Sequence, residues 1–404
     1  MYRTLFILTL PGLLGADWPQ HLGPTRDGKS PETGLARTWP KAGPPVIWKI
    51  DVGSGWAGVA VAGERLILFH RLGDDEVLDC RDPASGKVLW SAKYHARYVD
   101  DFRFDDGPRA TPLIADGRVY TFGADGDLRA WNLTDGKAIW DRNVNKDYNV
   151  AKGYFGSASS PILAGGKLIL NVGGKGASIV AFDPATGKEI WKAADDPVSY
   201  SSPIMARVGG AELVVFLTRS GLLGVTPDKG EVYLKHPFRP RAQASVSAAA
   251  PVVAGDRIFL TTAYSTGAIL LNLNKGKLEE VWQGENIMSC QYNTPILIDK
   301  HLYGVDGRAD VGTATLNCVE WNTGKVKWSK EAFGCAGLIH ADNLLIASAQ
   351  NGDVVLIDPS SDGYQELGRA AFLESPVRAL PALSNGRLFI RDAKKLMALD
   401  VSKK

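Results

Sequence analysis

The residues of this chain best equipped for chemistry are a dispersed polar and aromatic set: Arg109, Ser159, Tyr200, Gln291, Tyr292, Asn293 and Arg378. Two guanidiniums beside amide, hydroxyl and phenol groups are suited to holding a small anion or a carboxylate-bearing ligand, because a guanidinium presents paired donors that match two oxygens. Each member stands just before an apolar segment, with Ser157, Ser201, Gln243 and Ser245 in comparable places. The competing account is a wet channel in which these side chains only satisfy backbone groups and water. No residue is assigned a catalytic role. The chain has no G-x-S-x-G elbow, no H-E-x-x-H pair and no P-loop, so hydrolase and nucleotide-binding chemistries have no support.

Two long insertions add a second group of candidates. Residues 91–107 contain His95, Arg97, Asp100, Asp101, Arg103, Asp105 and Asp106, and residues 143–156 contain Lys146, Asp147, Tyr148, Lys152 and Tyr154. Four carboxylates in one loop could ligate Ca²⁺, which takes several hard oxygens. They lack the alternating spacing of a calcium loop, and Arg97, Arg103 and Arg109 are near enough to pair with them, so a salt-linked loop is the preferred reading and no metal site is assigned. His95 beside Arg and Tyr reads as a surface contact rather than a base. Among the four cysteines, Cys80 and Cys318 fall at one repeat position in distant units. Cys290 and Cys335 precede apolar strands of adjacent units, where a disulfide and two free thiols are equally open.

All these residues depend on a repeated phrase for their positions. It reads Asp183-Pro184-Ala185-Thr186-Gly187-Lys188-Glu189-Ile190-Trp191, and recurs from Asp82 to Trp90 and from Asn132 to Trp140. Pro and Gly at these places predict a tight turn between two strands. Altered copies end at Leu234, Trp282 and Trp328. Ahead of each phrase lie three apolar segments separated by Gly turns, giving four short antiparallel strands per unit at a period of about 45 residues. That is one blade of a β-propeller. The units fall near 58–90, 110–140, 158–191, 200–234, 246–282, 292–328 and 336–369. A last unit, 380–400, has only three strands, and residues 46–50 form an unpaired strand that supplies the fourth. Eight blades closed by an N-terminal strand is the expected fold, with seven the alternative if the last unit only caps the ring. Each Trp of the phrase is expected to wedge between blades, burying on the order of 200 Å².

Composition agrees with an all-β chain. The 44 Gly and 22 Pro among 404 residues suit many turns, and a net charge of +2 points to neither nucleic acid nor an acidic tail. Arg3 followed by the apolar run from Leu5 to Leu14 reads as a secretory signal, cut after Ala16 and too short to span a bilayer. The expected organisation is a signal peptide at 1–16, an extended segment at 17–45 that packs on the propeller, and a single propeller at 46–404. The product is expected to be a periplasmic or secreted monomer with no transmembrane segment and no lipid-attachment Cys.

The phrase Asp-x-x-Thr-Gly-Lys-x-x-Trp resembles the tryptophan-docking repeat of the quinoprotein (PQQ-type) propellers. The opening Trp18-Pro19-Gln20-His21-Leu22-Gly23-Pro24 and the Gly107-Pro108-Arg109-Ala110-Thr111-Pro112 stretch are similar to the exported PQQ-like proteins named after the outer-membrane assembly factor BamB or after polyvinyl-alcohol dehydrogenase. The resemblance implies one of two functions. The first is a non-catalytic binding or protein-assembly platform. The second is a small dehydrogenase oxidising an alcohol or sugar with PQQ and calcium in the central channel. Dehydrogenases of this family carry an adjacent Cys-Cys pair and Glu, Asn and Asp calcium ligands. This chain has no Cys-Cys and no Cys-x-x-Cys-His. The first function is preferred, with a protein or small molecule held on the channel face. Carbohydrate capture on the aromatic upper loops is a third reading.

Overall fold

The computed structural model describes residues 16–374 and 376–403; the expected signal peptide lies, apart from Ala16, outside them. The described chain folds into eight four-stranded antiparallel sheets. Its one helix is a single turn, Val144–Asp147, inside the second long insertion and capped by the Asn143 side chain. The first seven sheets each follow chain order from the innermost strand outwards. Blade 1, for example, runs through Ala60–Ala62, Arg65–Leu72, Asp75–Arg81 and Val88–His95. Blade 8 takes Ala382–Ser384, Arg387–Arg391 and Lys395–Asp400 from the end of the chain, and Val46–Asp51 pairs on as its outer strand. Trp48 lies opposite Ala398 and Ile50 opposite Leu396, so the two ends of the chain are latched in one sheet and the ring is closed.

The repeated phrase builds both the turn and the interface between blades. In the third blade, the Asp183 carboxylate accepts the Ala185 and Thr186 N–H groups at 2.8 Å each, and Gly187 closes the turn at φ 69°. A side chain at Gly187 would do more than strain the backbone, because its Cβ would stand 2.7 Å from the ring of Trp140 in the preceding blade. The indole N–H of Trp140 donates to the Pro184 carbonyl at 3.1 Å. The same docking recurs from Trp48 to Pro83, Trp90 to Leu133, Trp191 to Pro227, Trp282 to Trp321 and Trp328 to Ser360. Trp48 belongs to the closing strand and docks blade 8 on blade 1, whereas the outer strands of blades 4 and 7, Val232–Pro237 and Gln365–Ala371, carry no Trp. Where Leu234 replaces the indole, the next blade turns differently: Asn274 pairs with Lys277, so Lys275-Gly276 closes a tight hairpin, and Gly276 has open space around it. Cys80 and Cys318 sit opposite Trp90 and Trp328 on the third strands, as the repeat register requires. All four cysteines are buried free thiols, so Cys290 and Cys335 are not bridged.

Residues 17–37 form a strap across one end of the ring. Trp18 pairs with Val61 of blade 1 and is buried in the core shared by blades 1, 7 and 8, deeper than a surface contact. Arg26 then reaches the axis, where its guanidinium donates to the Pro203, Pro161 and Ser160 carbonyls of blades 3 and 4 at 2.7–3.2 Å and to Gln20. Beyond it, Ser30 pairs with His340 of blade 7, and Ala36 with Val401 behind blade 8. The strap thereby ties together blades that are far apart around the ring.

Candidate functional site

The innermost strands surround a cavity of about 310 Å³ at the channel mouth. Its floor is the strap turn at His21, with Thr111, Ser160 and Ser202 above it, and its walls are Trp56, Tyr200, Tyr264, Tyr292 and Leu380. Both insertions reach over it: Phe102 and Phe104 come from the first and Phe155 from the second. Phe102 stacks on Phe104 at 6.1 Å and on Phe155 at 5.1 Å, yet Phe102 and Phe104 remain 45% and 53% exposed. An apolar cluster left in water at a cavity mouth marks a contact surface.

Of the residues singled out from sequence, Arg109, Tyr200, Gln291, Tyr292 and Arg378 line this cavity. Ser159 and Asn293 do not. In blades 3, 4 and 5 the lining residues are Ala158 and Ser160, Tyr200 and Ser202, and Ala244, Val246 and Ala248. The backbone alternates there, so Ser159 faces away and is fully buried, while Asn293 turns into the protein to bond the Ala336 carbonyl. A shift of one residue along an extended strand moves a side chain to the opposite face, and the serines that line the cavity are Ser160 and Ser202. Phe102, Phe104, Phe155, Trp56, Tyr264 and the Arg308–Asp310 pair carried no local signal, since each sits in a loop of irregular backbone. The floor formed by His21 could have been suspected from the unusual strap sequence.

The three cavity arginines differ in what they hold. Arg109 is spent on the first insertion, donating to Asp100 at 3.1 Å and to the Gly107 and Asp105 carbonyls at 2.5 and 2.6 Å. Arg308 is paired with Asp310, whose carboxylate also accepts from Gln291 at 3.2 Å. Arg378 lies over the rings of Trp56 and Phe104, 4.5 and 5.2 Å from their centroids. Among the described residues it makes no ion pair, and its Nε is shut from solvent without an acceptor. The acidic loop is occupied by its own backbone. Asp100 is buried and accepts from Phe102 N, Asp105 accepts from Gly55 N and Gly107 N, Asp106 accepts from Asp100 N, and Asp101 pairs with Lys152. His95 is exposed, 4.0 Å from Asp75.

On the floor, Ser160 Oγ accepts the Thr111 N–H and Ser202 Oγ accepts the Ser160 N–H, both at 2.9 Å, linking innermost strands around the ring. Each serine still has its own proton to donate. His21 Nε2 is sealed from solvent with no partner. Burial, reinforced by the nearby Arg26 charge, pushes the imidazole from the ordinary 6.5 down to about 3. A histidine held neutral in the fold but free to protonate when unfolded contributes stability that is full above pH 6.5 and is lost as pH falls toward 3. His21→Gln is therefore expected to flatten the acid limb: the wild-type stability advantage should shrink by about 1.4 kcal/mol per pH unit below 6.5, read from urea midpoints at several pH values.

A family model described as "Outer membrane protein assembly factor BamB" matches residues 41–196 and 194–330. The BamB protein of Burkholderia pseudomallei is 24% identical over 246 residues, 58% of this chain and 59% of that protein. The quinoprotein alcohol dehydrogenase PedH of Pseudomonas putida is 36% identical over 117 residues, 27% of this chain and 18% of that enzyme. The matched stretch thus spans less than two thirds of either relative. Among solved structures, BamB from Moraxella catarrhalis superposes with a TM-score of 0.63 at 15% identity, covering 88% of this chain and 99% of that one. Quinohemoprotein alcohol dehydrogenase from Comamonas testosteroni superposes with a TM-score of 0.66 at 14% identity, covering 96% and 81%. At such identities the likeness is one of fold, and one fold serves both kinds of protein.

Proposed function

The chain belongs to the BamB family, and on that premise we propose that it is an exported, non-catalytic platform that engages a partner through the rim of its central channel. The observation that carries this reading is the cluster of exposed Phe102 and Phe104 with half-buried Phe155, on two insertions that the propeller itself does not need. Aromatic residues beside arginine are the composition of interface centres. Among the described residues no helix is long and apolar enough to cross a membrane.

The alternative, a dehydrogenase using PQQ and calcium, was weighed against the donor set. Calcium takes six to eight oxygens, several of them carboxylate. Among the described residues Asp310 is the one carboxylate on the cavity wall, and Arg308 and Gln291 already hold it. These residues do not fit the metal, although the arginines and rings are compatible with a planar acid. No oxidation step is assigned to them.

Two measurements test the platform. Purified protein mixed with PQQ and Ca²⁺ should give neither a bound-quinone spectrum nor dye-linked alcohol oxidation; turnover would overturn the reading in favour of the enzyme. In a deletion strain of the source bacterium, wild type should restore outer-membrane protein levels, and a Phe102→Ser/Phe104→Ser double variant should fail although folded. Full restoration by the double variant would remove the rim from the function.

A further inference from the structure

The cavity beneath that rim has one unanswered charge, and it limits what can bind. Arg109 is neutralised by Asp100 and Arg308 by Asp310, while Arg378 has no carboxylate among the described residues. A guanidinium donates in its own plane, and the Trp56 and Phe104 rings lie against Arg378, so its N–H edge is the part left to meet a ligand. Its Nε is shut from solvent, so the terminal Nη groups are the donors that a ligand in the cavity can reach. A carboxylate accepting from both Nη groups would answer the charge end-on.

The rest of the wall decides what the carboxylate must be attached to. Beyond Arg378 the lining is dominated by the rings of Phe104, Phe155, Tyr200, Tyr264 and Tyr292. Phe155 and Tyr200 meet edge-to-face at 5.7 Å, and Tyr264 is backed by Arg308 at 4.2 Å. Such surfaces favour a flat aromatic body by stacking and edge contacts. A volume near 310 Å³ is at the small end of ligand pockets, enough for one or two fused rings. The strap turn at His21 and the Ser160 and Ser202 hydroxyls limit the depth, so a long chain is not accommodated.

We propose that the cavity binds a small aromatic monocarboxylic acid, its carboxylate on Arg378 and its ring among the aromatic walls. The charge count argues for one carboxylate, since a polycarboxylate would bring charges for which the cavity offers no free cation. This rests on the reading of the channel mouth as a binding region and gives it a defined ligand chemistry, one by which occupancy of the cavity could influence the loops that carry Phe102 and Phe104.

The test is calorimetric titration of the full chain with 2-naphthoate and with its uncharged counterpart, 2-naphthamide. The acid should bind about tenfold or more tightly than the amide. Arg378→Met should abolish that preference, and Arg378→Lys should keep part of it because it retains charge but not the paired donors of a guanidinium. Thermal melting of each variant checks that it is folded. Should Arg378→Met not fold, the acid-to-amide ratio in the wild type and in Arg378→Lys still decides the matter. Equal binding of acid and amide, a preference that survives Arg378→Met, or no acid binding at about 10 mM would each overturn the proposal. The Phe102→Ser/Phe104→Ser complementation reads the platform separately, so a failed titration with a defective double variant removes the ligand and leaves the platform standing.

Discussion

Trp191→Ala is expected to lower the stability of the propeller by about 3–5 kcal/mol, the range for deleting a large aromatic from a packed interior. Trp191 is only 9% exposed, its N–H is held by the Pro227 carbonyl at 3.1 Å, and its ring covers Gly230 of the next blade. The loss combines a cavity between blades 3 and 4 with an orphaned carbonyl. Gly230 offers a second handle on the same interface: a Cβ there would stand 2.4 Å from the Trp191 ring, at φ 70°. Gly230→Ala should therefore be destabilising alone, yet cost about 1 kcal/mol less in the Trp191→Ala background, where the ring it strikes is gone. Gly276→Ala is the control. It shares the positive φ but has nothing near its Cβ, so it should show the backbone penalty alone. Urea denaturation of the four variants measures all of this, and strict additivity would show that ring and glycine do not press on each other.

The second large effect concerns the closing strand. Val52 N–H donates to the Lys394 carbonyl at 2.8 Å, and in the same register Ile50 opposes Leu396. Alternation along an extended strand then turns the Ile50 N–H toward blade 8 and the Lys49 N–H toward solvent. Ile50→Pro removes a ladder bond and buried apolar surface and should cost about 2–4 kcal/mol. Lys49→Pro, one residue away, should be much milder. Loosening Val46–Asp51 bares the Lys395–Asp400 edge, so Ile50→Pro should also self-associate in light scattering and lose hydrogen-exchange protection from Leu396 to Asp400. Equal behaviour of the two proline variants would contradict the register. A monomeric, fully protected Ile50→Pro would show that closure does not depend on this strand.

Much of the architecture was legible because it is written locally and repeated. Asp-Pro-x-Thr-Gly specifies a turn through an Asp side chain that caps its own backbone and a glycine at positive φ, and a Trp at fixed spacing says where the next blade must come. Three strands at one end and one spare strand at the other favoured eight blades over seven, and the pairing of Val46–Asp51 with Lys395–Asp400 decides for eight. The candidate site was legible only in its neighbourhood. Arg109 and Arg378 look alike in sequence, but one is spent on Asp100 and loop carbonyls and the other faces the cavity unpaired. Ser159 and Ser160 are adjacent and point in opposite directions. The strap carries Arg26 to carbonyls more than 130 residues away.

The amino-acid sequence by itself thus determined turns, strands and the blade as repeating unit, since these follow from the residue types within a few positions of one another, while the pairing that closes eight blades is seen in the fold. Which side chains meet at the channel, which charges are already answered, and how the strap floors the cavity were decided by the tertiary structure. Those properties depend on strand register and on distances between blades, and no short-range pattern encodes them.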